Sequence, residues 1–293
     1  MKPRGVAMVF YFYVIAAATA LTPATDWSGV EQALGRKGVI AGEVYKVTFP
    51  RTDLKVKVGA VTVAPGVALT SWAGFEPAGD GTVMMGDLVL LPSEVGGAMK
   101  QLMAGGVEIT ALHNHLLPSS PPVCYLHYMG TGDPAKLART LQSALKKTGT
   151  PLGPAKAAPK PGKTADWTKV ENILGRTGKK AGDLLQVSVP RAEKIMANAL
   201  VYPPAMGVAT ALNLQRIGNK VAGSGDFVLV ASEVNPVVRA LMDNGISVTA
   251  VHSHMLDESP RLFFVHFWAY DVPERVATGL RAALDKTNSA PAN

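Results

Sequence analysis

Six histidines, the whole complement of this 293-residue chain, fall into two sets of identical spacing: His113, His115 and His127, then His252, His254 and His266. Neutral imidazole suits zinc, copper, iron and nickel, and three ring nitrogens beside an open position recur in catalytic zinc sites. In each set an HxH pair is separated from the third histidine by a turn, Pro118 to Pro122 in the first and Asp257 to Pro260 in the second. That arrangement reads as a β-hairpin. Side chains alternate along a strand, so His252 and His254 share a face while Ser253 points away. If the turn is centred on Ser259, His266 stands directly across from His252, with Cβ atoms ~4.5–5.5 Å apart. Each hairpin is therefore expected to offer three imidazoles to one divalent transition metal, zinc among the candidates. The competing reading is histidines held by ordinary hydrogen bonds. Three crowded rings with neither metal nor acid would leave buried nitrogens unsatisfied, which weighs towards the metal.

Acidic residues near these sets have several readings. Glu258 follows His254 by four residues and is the candidate catalytic group, a general base acting on metal-bound water. It also reads as a fourth ligand or a solvated loop acid. In the first set its place is taken by Ser119, and that of Arg261 by Pro122, so chemistry that needs the acid belongs to the second set alone. Asp87 and Asp226 each follow a glycine and are expected in turns. Glu94 and Glu233 fall in the first turn of a helix, where a carboxylate complements the dipole. Either pair could orient a histidine, but the local roles suffice.

The elements that carry these residues come from an internal repeat. Asp26-Trp27 matches Asp166-Trp167 at an offset of 140, and from Pro65 onward the offset is 139, as in Gly86-Asp87 with Gly225-Asp226. The expected layout is a leader over 1–20, modules over 24–148 and 164–288, and a Pro/Gly/Lys linker over 149–163. Each module opens with a short helix ended by Gly35 or Gly175. A strand follows in which Tyr45, Val47 and Phe49, or Leu185, Val187 and Val189, alternate with polar partners. Two looser strands come next, around Val58 to Ala64 and Val67 to Ala73, with counterparts in the second module. A buried strand from Asp226 to Ala231, a helix capped by Ser232, strands over Ile246 to Met255 and Leu262 to Ala269, and a helix begun by Pro273 complete it. The fold class is α+β: two tandem related modules, each an antiparallel sheet with helices packed on it, the second half β-α-β-β-α in the ferredoxin-like manner.

Hydrophobic content of 47% with 17% charged residues describes packed cores rather than a disordered chain. Lys2 and Arg4, an apolar run from Val6 to Ala18 and the small residues Ala18-Thr19-Ala20 have the order of a secretory signal peptide. The expected product is exported, periplasmic or secreted, touching a membrane only if that segment is uncleaved. The single cysteine, Cys124, excludes an intramolecular disulfide and reads as a small core residue on the strand face opposite His127. Net charge is +7, but no helix carries a basic stripe with aromatics between, so nucleic acid is not an expected partner. An unknown small molecule or envelope component is.

The segments Thr249 to Met255 with Ser259 to Trp268, and Thr110 to Leu116 with Tyr125 to Tyr128, resemble the LppY/LpqO family, exported bacterial proteins named for mycobacterial lipoproteins. The resemblance covers both modules and implies a bacterial, exported protein with a tandem domain of unknown function. It supplies no catalytic residue. No cysteine stands at the cleavage point, a departure from the lipoprotein members. His252 to Glu258 is also similar to the first metal motif of cupins, but helices on either side of the hairpin fit a jelly roll poorly. The reading is a metal-binding envelope protein, with a Glu258-dependent hydrolase and a non-catalytic interaction module as alternatives.

Overall fold

In each module the alternation of apolar residues supplies one sheet face for helices, and the opposite face is covered by the other module. The computed structural model describes residues 25–292 apart from 80, 155–163 and 198; the leader over 1–20 lies outside the described residues. The first module runs α1 (Ser28–Leu34), β1 (Val39–Ala41), β2 (Val44–Pro50), β3 (Lys57–Val58), β4 (Val61–Thr62), α2 (Pro65–Ala68), β5 (Thr70–Ala78), β6 (Gly81–Leu90), α3 (Pro92–Ala104), β7 (Glu108–Asn114), β8 (Cys124–Gly132) and α4 (Pro134–Leu145). The second runs α5 (Thr168–Leu174), β9 (Lys179–Ala181), β10 (Leu184–Val189), β11 (Ile195–Ala197), β12 (Leu200–Tyr202), β13 (Thr210–Ile217), β14 (Lys220–Leu229), α6 (Ala231–Asp243), β15 (Ser247–His252), β16 (Phe263–Asp271) and α7 (Pro273–Leu284). The sheet orders correspond, β1-β2-β5-β6-β8-β7 and β9-β10-β13-β14-β16-β15, with antiparallel neighbours throughout. The mixed α+β architecture in two similar modules is as the sequence implies. Residues 67–68 differ: Pro65 at the first helical position starts a turn of helix where a strand was expected.

Helix positions explain one core per module. Asp133 caps α4 by accepting from Lys136 N, Pro134 begins it, and Leu137, Ala138, Leu141, Ala144 and Leu145 form the buried stripe. These pack with Leu34, Leu102, Tyr45, Val47, Phe75, Met84, Leu88 and Leu126. The second module repeats that core around α5, α6 and α7. At ~1.5–3 kcal/mol for each fully buried large aliphatic side chain, these two layers dominate the stability of their modules. α6 is closed by Glu233, whose carboxylate accepts from Val230 N, rather than by Ser232.

The opposite faces join the modules. Val44, Val83, Met85 and Met129 of the first pack with Ile195, Tyr202, Met206, Val228 and Phe264 of the second. The small β3–β4 ribbon returns the contact, its Val58 and Val61 lying in one cluster with Ala222 and Trp268. Hydrogen bonds cross in matched positions: Lys46 Nζ donates to Ala205 O (3.1 Å), and Gln186 Nε2 donates to Gly66 O (2.8 Å). The start of the linker packs on the first module, with Arg36 donating to Pro151 O and Gly153 O.

Candidate metal centre

Two acids and two histidines sit mid-sheet on the joined faces. Asp87 on β6 is paired in register with His127 on β8, and Asp226 on β14 with His266 on β16. Even-numbered neighbours Met84, Leu88 and Leu126 enter the helix-side core, so parity sends Asp87 and His127 towards the other module. The turn role expected for both aspartates is overturned, because β6 and β14 begin several residues before them. The expected hairpin register is corrected as well. His252 pairs with Phe264, and His266 pairs with Ala250, beyond a bulge at Thr249. The shift is by two, which preserves the face. His115 and His254 lie just past the ends of β7 and β15 rather than within them.

That displacement lets each of the two reach the other module. The ring of His115 lies 3.3 Å from that of His266 between centroids, and His254 lies 3.7 Å from His127. The mates His113 and His252 stack at 3.6 Å between them. Thus the expected pair of separate three-histidine hairpins is replaced by one cluster of all six at the module junction. Ring nitrogens of His113, His252, His254 and His266 lie within 4.8 Å of one another, as do donor atoms of His115, Asp226 and His266; either group could hold a metal ion.

Backbone carbonyls set the tautomers. His113 Nδ1 is 2.9 Å from Asn114 O, His252 Nδ1 3.3 Å from Ser253 O, and His266 Nδ1 3.1 Å from Gly225 O. A carbonyl only accepts, so each Nδ1 carries the proton and each Nε2 presents a lone pair. His113 Nε2 lies 2.8 Å from His127 Nε2. The Nε2 atoms of His252, His254 and His266 are buried without a hydrogen-bond partner among the described residues, as are Nδ1 of His115 and His127 and Oδ1 of Asp87 and Asp226. His266 Nδ1 is 2.5 Å from Asp226 Oδ1, but the approach is too bent for a hydrogen bond.

Burial drives the titration of the cluster. It lowers His113 to about 4, with the His266 charge second, and His252 and His266 to about 3. His115, His127 and His254 are also pushed well below the usual histidine range, burial again first. All six are neutral at pH 7, the form that ligates metal. Asp226 is raised to about 6 by burial, partly offset by His252 and His113, and Asp87 is raised well above the carboxylate range by burial and then by Asp226.

Two cavity lobes reach the cluster. One of about 390 Å³ is lined by Lys46, Trp72, Asp87, His127, Asp226 and His254, and one of about 490 Å³ by Lys46, Asp87, His115, Tyr125, Asn213 and Asp226. Lys46 lies over the Trp72 ring, its ammonium 3.8 Å from the centroid, and burial brings it down to about 8 against the pull of Asp87. Lys46, Trp72 and Asn213 drew no notice in the sequence. A charged residue alternating with Met85 and Val89 in an otherwise apolar strand, and repeated at Asp226, was the available signal for the acids.

Glu258 is elsewhere. Its side chain is fully buried in the hairpin turn, Oε1 accepting from Leu262 N (2.8 Å) and Oε2 paired with Arg261 (3.1 Å). It neither joins the groups around the histidines nor lines either lobe, so the geometry gives it a turn-holding role rather than that of a general base. Glu94 and Glu233 also face away from the histidines. Glu94 binds buried Arg51 and Gly149 N, and Glu233 binds Arg191 and Asn288 N. Cys124 is half-buried and its thiol is pushed up by burial, consistent with a packing role.

Residues 28–147 and 168–286 each match the Domain of Unknown Function (DUF1259). The chain belongs to the DUF1259 family. Its two copies are the two modules described above, and the histidine cluster lies between the copies. No curated protein matches the chain. Two solved structures align along most of it: the trimeric bacterial microcompartment shell protein PduB (14% identity, 86% of this chain and 91% of that one, TM-score 0.21) and EtuB from Clostridium kluyveri (9% identity, 85% and 90%, TM-score 0.20). At those TM-scores neither likeness bears on the DUF1259 fold or its site.

Proposed function

We propose that this protein binds a divalent transition metal at the junction of its two DUF1259 copies, and that it works outside the cytoplasm. The observation that carries the reading is the convergence of ring nitrogens from both copies within 4.8 Å of one another, with Nε2 of His252, His254 and His266 buried without a partner among the described residues. An unpaired buried polar atom costs ~1–3 kcal/mol, so a cluster of them without an ion would tax the fold heavily. Imidazole-rich donors suit zinc, copper, nickel or iron rather than magnesium or calcium. The N-terminal segment and the resemblance of the hairpins to the LppY/LpqO family support the exported location. No helix among the described residues is long and apolar enough to cross a membrane.

Elemental analysis of the untagged protein tests the reading, beside His252→Ala and His254→Ala. The expected result is stoichiometric zinc, copper, nickel or iron in wild type and a loss of about half or more of it in both variants. Equal trace metal in all three overturns it.

The two lobes favour a second, catalytic reading, since they give a small molecule access to the donors. In that reading the histidine cluster would hold a metal that supplies Lewis-acid activation of water, and Lys46, which lines both lobes, rather than Glu258 is the titratable group beside it. Metal-loaded protein assayed with chromogenic carboxyl and phosphoryl esters separates the two. Turnover abolished by chelation supports a hydrolase. Full metal loading with no turnover of either ester leaves metal binding as the function.

A further inference from the structure

We propose that the junction holds two metal ions, one gathered around Asp226 and one around Asp87, each bound by three histidines drawn from both copies. This rests on the metal-binding reading above and adds the number of ions and the ligand set of each. Donor accounting leads to it. Six imidazoles and two carboxylates meet at the junction, whereas zinc in protein sites is usually four-coordinate. One such ion would leave half of these buried donors without a partner, and two ions use them all.

The repeat divides the donors into two equal sets, which meet where His113, His252, His254 and His266 bring ring nitrogens within 4.8 Å of one another. Asp226 has three histidines around it: His115 Nε2 at 3.8 Å, His252 Nε2 at 3.9 Å, and His266, whose Nδ1 is held by Gly225 O and whose Nε2 is buried without a partner among the described residues. Two donor atoms on one ion, at metal distances of ~2.0–2.2 Å, cannot stand more than about 4 Å apart, and the two nitrogen-to-carboxylate separations are of that order. The repeat offset turns His115, His252, His266 and Asp226 into His254, His113, His127 and Asp87. That second set lies together more loosely: His127 Nε2 lies 2.8 Å from His113 Nε2 and 4.0 Å from Asp87 Oδ1, and its ring is 3.7 Å from that of His254. The stacked His113 and His252 rings bring the two sets into contact along the pseudo-twofold.

Asp87 and Asp226 line both lobes, while His127 and His254 border the smaller and His115 the larger, so an exogenous ligand can approach histidines of either set. The chemical class follows from the donors: first-row divalent ions that accept three imidazoles and a carboxylate, zinc, copper or cobalt.

The test is copper(II) titration of the metal-free, full-length protein, read by native mass spectrometry and by electron paramagnetic resonance. The expected wild type saturates at two ions per chain, and the two spins couple, so its signal at saturation is depressed or split. Asp226→Asn with His115→Ala, and separately Asp87→Asn with His254→Ala, should each bind one ion with an uncoupled signal. Circular dichroism checks that each variant is folded. Saturation at one ion, or two ions without coupling, overturns the pair while leaving the metal-binding reading standing. No bound ion at all overturns that reading too. A folded double variant that loses both ions overturns the assignment of ligands to separate sets.

Discussion

At position 46 the first copy carries a lysine, and at 186 the second carries a glutamine; both reach across the junction to a backbone carbonyl of the other copy. Around them Trp72 stands where the second copy has Ala211, and Asn213 where the first has Gly74. The donors a few ångströms away are by contrast matched one for one, Asp87 with Asp226 and each histidine with its mate. So the arrangement that could hold metal is two-fold, and the cleft leading to it is not. A neutral amide serves as well as an ammonium for the cross-junction tie, which means that the lysine's charge beside Asp87 is the true difference between the sides.

The largest effect should come where the copies agree. Arg51 and Arg191 are buried, each bound to an acid two residues on, to the first-turn glutamate of a helix and to a strand carbonyl. Arg51→Met and Arg191→Met each strand buried carboxylates and should cost ~3–5 kcal/mol in urea unfolding. Strongly unequal losses would break the equivalence of the copies.

Next is acid. His113 at about 4 and His252 and His266 at about 3 lie below the ordinary ~6.5 of an unfolded chain. Below pH ~6.5 the unfolded chain takes up protons that the folded state refuses. Metal-free protein should therefore be most stable above that pH and weaken as pH falls, levelling off once the folded rings protonate near 3–4. Asp87 and Asp226, raised in the fold, oppose this but are two groups against six. Urea midpoints at pH 7 and pH 5 measure it, and His252→Gln should flatten the slope.

A smaller contrast lies in the hairpin turns. Glu258→Ala frees the buried Leu262 N–H and should cost ~1–3 kcal/mol without changing metal content. Ser119→Ala, at the matching place in the first copy, should stay within about 0.5 kcal/mol. Loss of metal from the Glu258 variant would return that acid to the site.

How much of this was readable in advance follows from which contacts are local. The repeat, the strands and the shared face of His252 and His266 come from periodicity, and a register error of two residues preserves that face. Thr249 gives no sign of the bulge that moves the pairing. Docking of the two sheets is a long-range event that alternation cannot report, so the histidines read as two triads when they are one cluster. Gly225 before Asp226 reads as a turn at the start of a strand, yet Gly225 lies within β14, where an added Cβ would strike Ala211 O at 1.8 Å.

The smallest effect sharpens the asymmetry itself. Removing a charge several ångströms from a site in a partly solvated cleft changes its energy by ~1 kcal/mol, about fivefold in affinity. Lys46→Met should tighten zinc binding by that factor in competition with a chromogenic chelator, and Gln186→Met should leave it unchanged. Equal responses would mean that the lysine's charge does not reach the donors.

Anomalous diffraction from crystals of the untagged protein grown with zinc addresses the central claim most directly. The account predicts anomalous density between the rings of His113, His115, His127, His252, His254 and His266, at the junction of the two copies. Zinc found only on surface residues, with the six rings in place and no density between them, would contradict it.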